Sequence, residues 1–321
     1  VPAVLISLSV LMQAGCFGYL SGRLTPSGSL LLSCTGFLLS ALLFTALYLV
    51  RRGRPRSAVP GPAPAPAVRR RVRRLMWLMN LVTALTFVSF YVSLAWVPAT
   101  LASGVETALG PLALAVISVV LRGGECPAPR AWGTAAALAV VGGALAWSLT
   151  GGAGMGWSAL AGLGLVMVAG AGASGLALIS KALGELGVDP VTVTAHRFHL
   201  TYLGAGALFV LQGGSPHESG VPPMVIPLLG VAAITVPLFV LQVGLQRAHP
   251  MAAMTILTTL PGMTYLSEAL WGGGVNIVSL ALTGLLVVLA VVSAAPRRNG
   301  DRAEDQPPEL SSTSVGNEAR S

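Results

Sequence analysis

Glu106 is the one carboxylate in an apolar run that extends from Leu75 to Leu121. A charge is expensive to bury in such a run, so one that is retained is a functional candidate by default. It lies eight residues past Pro98, roughly 12 Å at about 1.5 Å per helical residue. In an apolar layer about 30 Å thick that depth is close to the middle. Ala99, Ala102, Ser103, Gly110 and Ala113 recur three or four positions apart around it, so its face is lined with small side chains and should point into a bundle. A carboxylate there can attract the ammonium group of a bound molecule or take up a proton. A purely structural Glu, bonded to a neighbouring helix, is the alternative.

The other candidates are weaker. Arg197 sits about two turns into a later apolar segment, within reach of that segment's polar end, so the sequence predicts a snorkelling side chain. With His196 and His199 it could line an inner vestibule. The two histidines are one turn apart without an acidic or thiol companion, so no metal site is expected. Glu268 reads as a gate or surface residue. Gln13, Tyr91, Ser174, Thr255, Thr258 and Thr259 are uncharged groups that could line a cavity, although each could equally make a bond between helices. Cys16, Cys34 and Cys126 have no metal or disulfide spacing. The motifs HExxH, GxSxG and GxxxxGK[ST] do not occur, so neither an enzyme of those classes nor a nucleotide or other cofactor is implied.

These residues must be held by elements that live in lipid. Hydrophobic residues make up 54% of the 321 and charged ones only 9%, against about 25% charged in an ordinary soluble domain. The apolar runs are continuous rather than alternating, which excludes an outer-membrane barrel. At about 20 residues per crossing they hold roughly ten helices. No cationic segment precedes the first run, which therefore reads as a retained helix rather than a cleaved signal. The expected helices are 2–20, 28–50, a pair within 75–121 hinged near Pro98, 131–149, 157–180, 190–212, 224–246, 250–271 and 275–295.

Nine arginines lie within residues 51–74, namely Arg51, Arg52, Arg54, Arg56, Arg69, Arg70, Arg71, Arg73 and Arg74, around a Pro/Ala stretch, Val59 to Ala67, that should be extended. Such a loop belongs in the cytoplasm, and ten crossings then put both termini there too. Residues 296–321 read as a disordered cytoplasmic tail. The net charge of +8 comes from these local clusters, so a nucleic-acid partner is not implied; lipid and a small molecule are, and a homo-oligomer is left open. Eighteen of the 19 cations are Arg, the mark of a GC-rich coding sequence, which points to a bacterial source.

The halves align. An offset of 150 pairs Ala102 with Ala252, Ser103 with Ala253 and Pro111 with Pro261, and one of 158 pairs Arg23 with Lys181 and Cys16 with Ser174. Five helices per repeat is an odd number, so the second repeat is inverted. The expected fold is an all-α integral membrane protein with ten transmembrane helices as two inverted five-helix repeats, 1–149 and 157–295. The order of Val97-Pro98, Ala102, Glu106 and Gly110-Pro111-Leu112-Ala113, then Gly124-Glu125, Trp132-Gly133, Ala169 to Lys181 and Ala195 to Phe198, resembles the drug/metabolite transporter superfamily, EamA-like branch. It is particularly similar to amino-acid exporters of the threonine/homoserine type. The resemblance implies a secondary transporter that exports a small polar or amino-acid-like metabolite. An intramembrane enzyme or a membrane sensor built on the same cavity is the competing expectation. This sequence departs from the pattern at Gly36, which occupies the position in the first repeat that matches Arg197.

Overall fold

Prolines open the helices and glycines close them. The elements are α1 (Pro2–Leu20), α2 (Pro26–Gly53), α3 (Pro66–Ser93), α4 (Ala99–Leu121), α5 (Pro129–Thr150), α6 (Trp157–Glu185), α7 (Pro190–Arg197), α8 (His199–Leu211), α9 (Ile226–Gly230), α10 (Val236–Arg247), α11 (Pro250–Leu257), α12 (Leu260–Leu270) and α13 (Ile277–Ala294). Six of them start on a proline, whose fixed φ suits the first turn, where its missing N–H would go unused. After α6, α8 and α12 the chain turns through Gly187, Gly213 and Gly272, all at positive φ. This computed structural model describes residues 1–21, 23–53, 65–93, 96–97, 99–121, 129–150, 156–272, 274 and 276–294, and among them there is no strand. Pro98, the stretch 54–64, the Gly124-Glu125 segment, Cys126, the 151–155 loop and the 296–321 tail lie outside the described residues.

Five helical segments are long and apolar enough to cross a membrane: Pro2–Leu20, Ser27–Gly53, Ala102–Val120, Trp157–Glu185 and Ile226–Arg247. The distribution of side chains fits lipid. Trp77, Val120, Val140, Leu211 and Val291 face outward, while Ser9, Ser40, Thr83, Ser174 and Gln242 are buried. A water-soluble protein has the reverse preference.

Several expected helices are broken or longer than the apolar runs suggested. The 190–212 helix divides at Phe198 into α7 and α8, and Asn80 Oδ1 of α3 accepts the Leu200 N–H at the break. The 224–246 helix contains a π-helical turn, Val231–Thr235, immediately before Pro237, and the 250–271 helix breaks at Thr258 and Thr259 before Pro261. Both prolines lack the N–H that a regular ladder needs. The basic segment is not a loop from end to end: α2 runs on to Gly53, and α3 begins at Pro66, so Arg69 to Arg74 are helical. Arginine is a good helix former, and lipid does not limit a helix that continues into water.

Packing partners are exchanged between the halves. The first helix, α1, packs chiefly on α10 and α12, whereas α6 packs chiefly on α3 and α4; α2 lies against α7, α8 and α9, and α5 against α4 and α13. Small residues bring α6 close. A Cβ on Gly170 would lie 2.8 Å from the Glu106 carbonyl oxygen, and one on Gly172 would collide with the Thr86 hydroxyl of α3. At one end Arg51 pairs with Asp189 at 3.1 Å, Lys181 with Glu185 at 3.9 Å, and Val72 and Leu75 pack near Leu183. At the other, the Arg23 guanidinium stacks 4.1 Å from the Tyr19 ring, and Thr25 N–H donates to the Ser219 carbonyl.

Filling the gap at Gly172 should therefore separate α6 from α3. Gly172→Val is expected to destabilise the protein by about 1 to 3 kcal/mol, read as a lower melting temperature in detergent. An unchanged melting temperature would mean that the two helices are not held by this contact.

Candidate functional site

The site is built where α4 meets α6 and the broken pair α11 and α12. Pro111 lies inside α4. It has no N–H to give the carbonyl one turn back, that of Thr107. Thr258, at the α11 to α12 break, supplies a shared replacement: its single hydroxyl proton lies between its own Met254 carbonyl at 2.9 Å and the Thr107 carbonyl at 3.3 Å. From the other side Ser174 Oγ of α6 donates to the Gly110 carbonyl at 2.7 Å and to Gly170 at 3.1 Å. The side chain of Met254 lies against Gly110. Backbone polar groups at mid-helix are thus satisfied by neighbouring hydroxyls, as irregular backbone in lipid requires.

Glu106 is the residue before Thr107, and its backbone packs on Gly170. Its side chain is half-buried, and among the described residues no group hydrogen-bonds or ion-pairs with the carboxylate. Small neighbours leave room around it: Ala102 and Ala108 on the same helix are fully buried. A carboxylate so held can bind a cation or a proton without first breaking a bond.

The other sequence-derived candidates distribute unevenly. Ser174 and Thr258 join Glu106 at this crossing, but both hydroxyls are committed to carbonyls. Thr259 bonds back to Ile256 at 2.7 Å, and Thr255 is buried on α11. Gln13 lies elsewhere, on α1, donating to Ser9 Oγ at 3.0 Å, while Ser9 in turn donates to the Pro237 carbonyl at 2.7 Å. Tyr91 belongs to α3, and its side chain is outside the described residues. Glu268 is partly exposed on α12, next to Gly18 of α1.

The three vestibule candidates face different surroundings. His196 is exposed, bonded to the Thr192 carbonyl at 2.8 Å and set edge-on to Tyr48. His199 is edge-on to Tyr202 with centroids 5.9 Å apart. Arg197 does not snorkel: it is 3% exposed. Its Nη1 donates to Gln242 Oε1 of α10 at 2.6 Å, and Ser180 Oγ of α6 donates to the same oxygen at 3.3 Å. Depth along a helix fixes how far a side chain must reach, and the direction it faces decides whether it reaches at all. Gln242 and Ser180 were not expected; an amide inside the apolar run 236–245 was the available signal.

No family model matches the sequence, and no curated protein matches it. A solved crystal structure, described only as that of a protein, is similar over 91% of this chain and 96% of its own, with a TM-score of 0.64 and 18% identity. At that identity the likeness establishes a shared fold.

The Ser174 bond to Gly110 should contribute measurably, because it is a buried hydroxyl bond that ties α6 to α4 in an apolar interior. Ser174→Ala is expected to cost about 0.6 to 1.7 kcal/mol, measured by reversible unfolding in mixed micelles. No loss would show that the hydroxyl does not tie α6 to α4.

Proposed function

We propose that this protein is a secondary transporter of the EamA-like kind, with ten membrane crossings in two inverted five-helix repeats, that exports a small amino-acid-like or other polar metabolite across the bacterial plasma membrane. The observation that carries the proposal is the exchange of packing partners. Pairing α1 with α6, α2 with α7 and α8, α3 with α9 and α10, α4 with α11 and α12, and α5 with α13 turns the α1 contacts with α10 and α12 into the α6 contacts with α3 and α4. The contact of α2 with α9 likewise becomes that of α3 with α8, and those of α2 with α8 and α5 with α13 map onto themselves. Inverted repeats related in this way are the usual framework for alternating access about a site near the midplane. Glu106, partly accessible and unpartnered beside a helix break, is the group at that site able to hold a substrate ammonium or a coupling proton.

The basic end, with Arg51, Lys181 and Arg247, is the cytoplasmic one on this proposal. In a variant lacking the three native cysteines, Ser215→Cys should react with a membrane-impermeant maleimide in intact cells, and Glu185→Cys should not. The opposite pattern would invert the orientation.

Transport itself is tested in proteoliposomes with a panel of labelled amino acids, with and without a pH gradient. Saturable uptake is expected for at least one of them. Glu106→Gln keeps the size and removes the charge: loss of gradient-driven uptake with exchange retained would identify a proton carrier, and weakened substrate binding an ammonium partner. A variant that transports at the wild-type rate across pH 6 to 8 would make Glu106 structural.

A further inference from the structure

Among the described residues four buried polar side-chain atoms lack a partner: Arg197 Nε, Thr201 Oγ1, Gln242 Nε2 and Thr283 Oγ1. Two of them belong to residues already joined to each other. The bond from Arg197 Nη1 to Gln242 Oε1 fixes which way the amide points, because a flipped amide would turn its own N–H groups against the guanidinium. Ser180 donates to the same oxygen, so the amide nitrogen is left as a donor with nothing to bond. A guanidinium keeps its charge in a protein, and no carboxylate lies within 4.0 Å of Arg197 among the described residues. The Phe198 ring also faces it, with its centroid 5.0 Å from the guanidinium carbon. A buried cation with no counterion is strongly unfavourable.

Glu106 cannot be that counterion. Its backbone touches α6 at Gly170, and the Arg197 cluster touches α6 at Ser180, ten residues on. That is about 15 Å along the helix at about 1.5 Å per residue.

We propose that Arg197 and Gln242 form an anion subsite that receives a carboxylate group, with Ser180 holding the amide in place. The free Nε edge of a guanidinium is the side that pairs in a fork with two oxygens, and the idle amide N–H groups add a second set of donors. The subsite lies between α6, α7 and α10, toward the basic end, at a different depth from Glu106. Assigning its carboxylate to a transported cargo rests on the transport function proposed above; the subsite itself does not.

The test uses the purified full chain in detergent at constant ionic strength, with sodium propionate as probe and propionamide, chloride and sulfate as comparisons. Propionate should raise the melting temperature by about 2 to 4 °C, and propionamide should not. Arg197→Met should abolish the shift. Gln242→Glu supplies a built-in carboxylate, so it should melt higher than wild type without ligand and no longer respond to propionate; it decides the matter should Arg197→Met fail to fold. An equal response to propionamide, or a propionate shift that persists in Gln242→Glu, would overturn the subsite. An equal response to chloride or sulfate would overturn its assignment to carboxylates. Because binding is read without transport, a failed proteoliposome assay leaves this result standing, and the reverse also holds.

Discussion

In an apolar solvent a polar group can bond only to another part of the protein, and the rest of this structure follows from that constraint. Many of the buried hydroxyls turn back onto carbonyls three or four residues earlier in their own helices. Ser33 bonds to Ser29, Thr83 to Met79, Thr86 to Val82 and Thr194 to Pro190, all at 2.6 to 2.8 Å. Where a proline removes an N–H, a hydroxyl from a neighbouring helix is brought in, as Thr258 is for Thr107. A few hydroxyls, Ser9, Ser174 and Thr258 among them, also fasten one helix to another. Against so thorough a pattern, the groups left over acquire meaning: a carboxylate with no partner at one depth and a guanidinium with no counterion at another.

The helices were legible in the sequence because apolar runs bounded by proline and glycine have few other solutions in lipid. The all-helical, membrane-compatible architecture followed from composition and run length alone. Breaks inside the runs were not legible. A continuous apolar stretch reads the same whether the ladder continues or shifts, so the π-helical turn before Pro237 and the gap before Pro261 leave no mark in the apolar pattern beyond the prolines themselves.

Glu106 stood out because a charge amid alanine and glycine has a high cost and therefore a reason. The environment of Arg197 did not, since it depends on Gln242, 45 residues away in sequence and on another helix. An uncharged amide carries no such signature in an apolar run, and here an amide orients the only buried guanidinium among the described residues. Ser174 and Thr258 were recognised as polar groups, but which carbonyls they would bind depended on how α6 and α11 approach α4, a matter of tertiary packing.

The exchanged packing also bears on how the chain is made. Ser9 of α1 bonds to the carbonyl of Pro237, and Gly15 accepts from Ser267, contacts that join α1 to residues 228 and 252 positions further along the chain. Among the described residues α1 packs on α10, α11 and α12, so its buried face is covered only when those later helices are in place. Within the amino-terminal half α4 and α5 pack on each other, whereas α1 and α2 bury their faces against helices of the second half. Closure of the bundle around α1 and α2 is therefore set by helices of the second half.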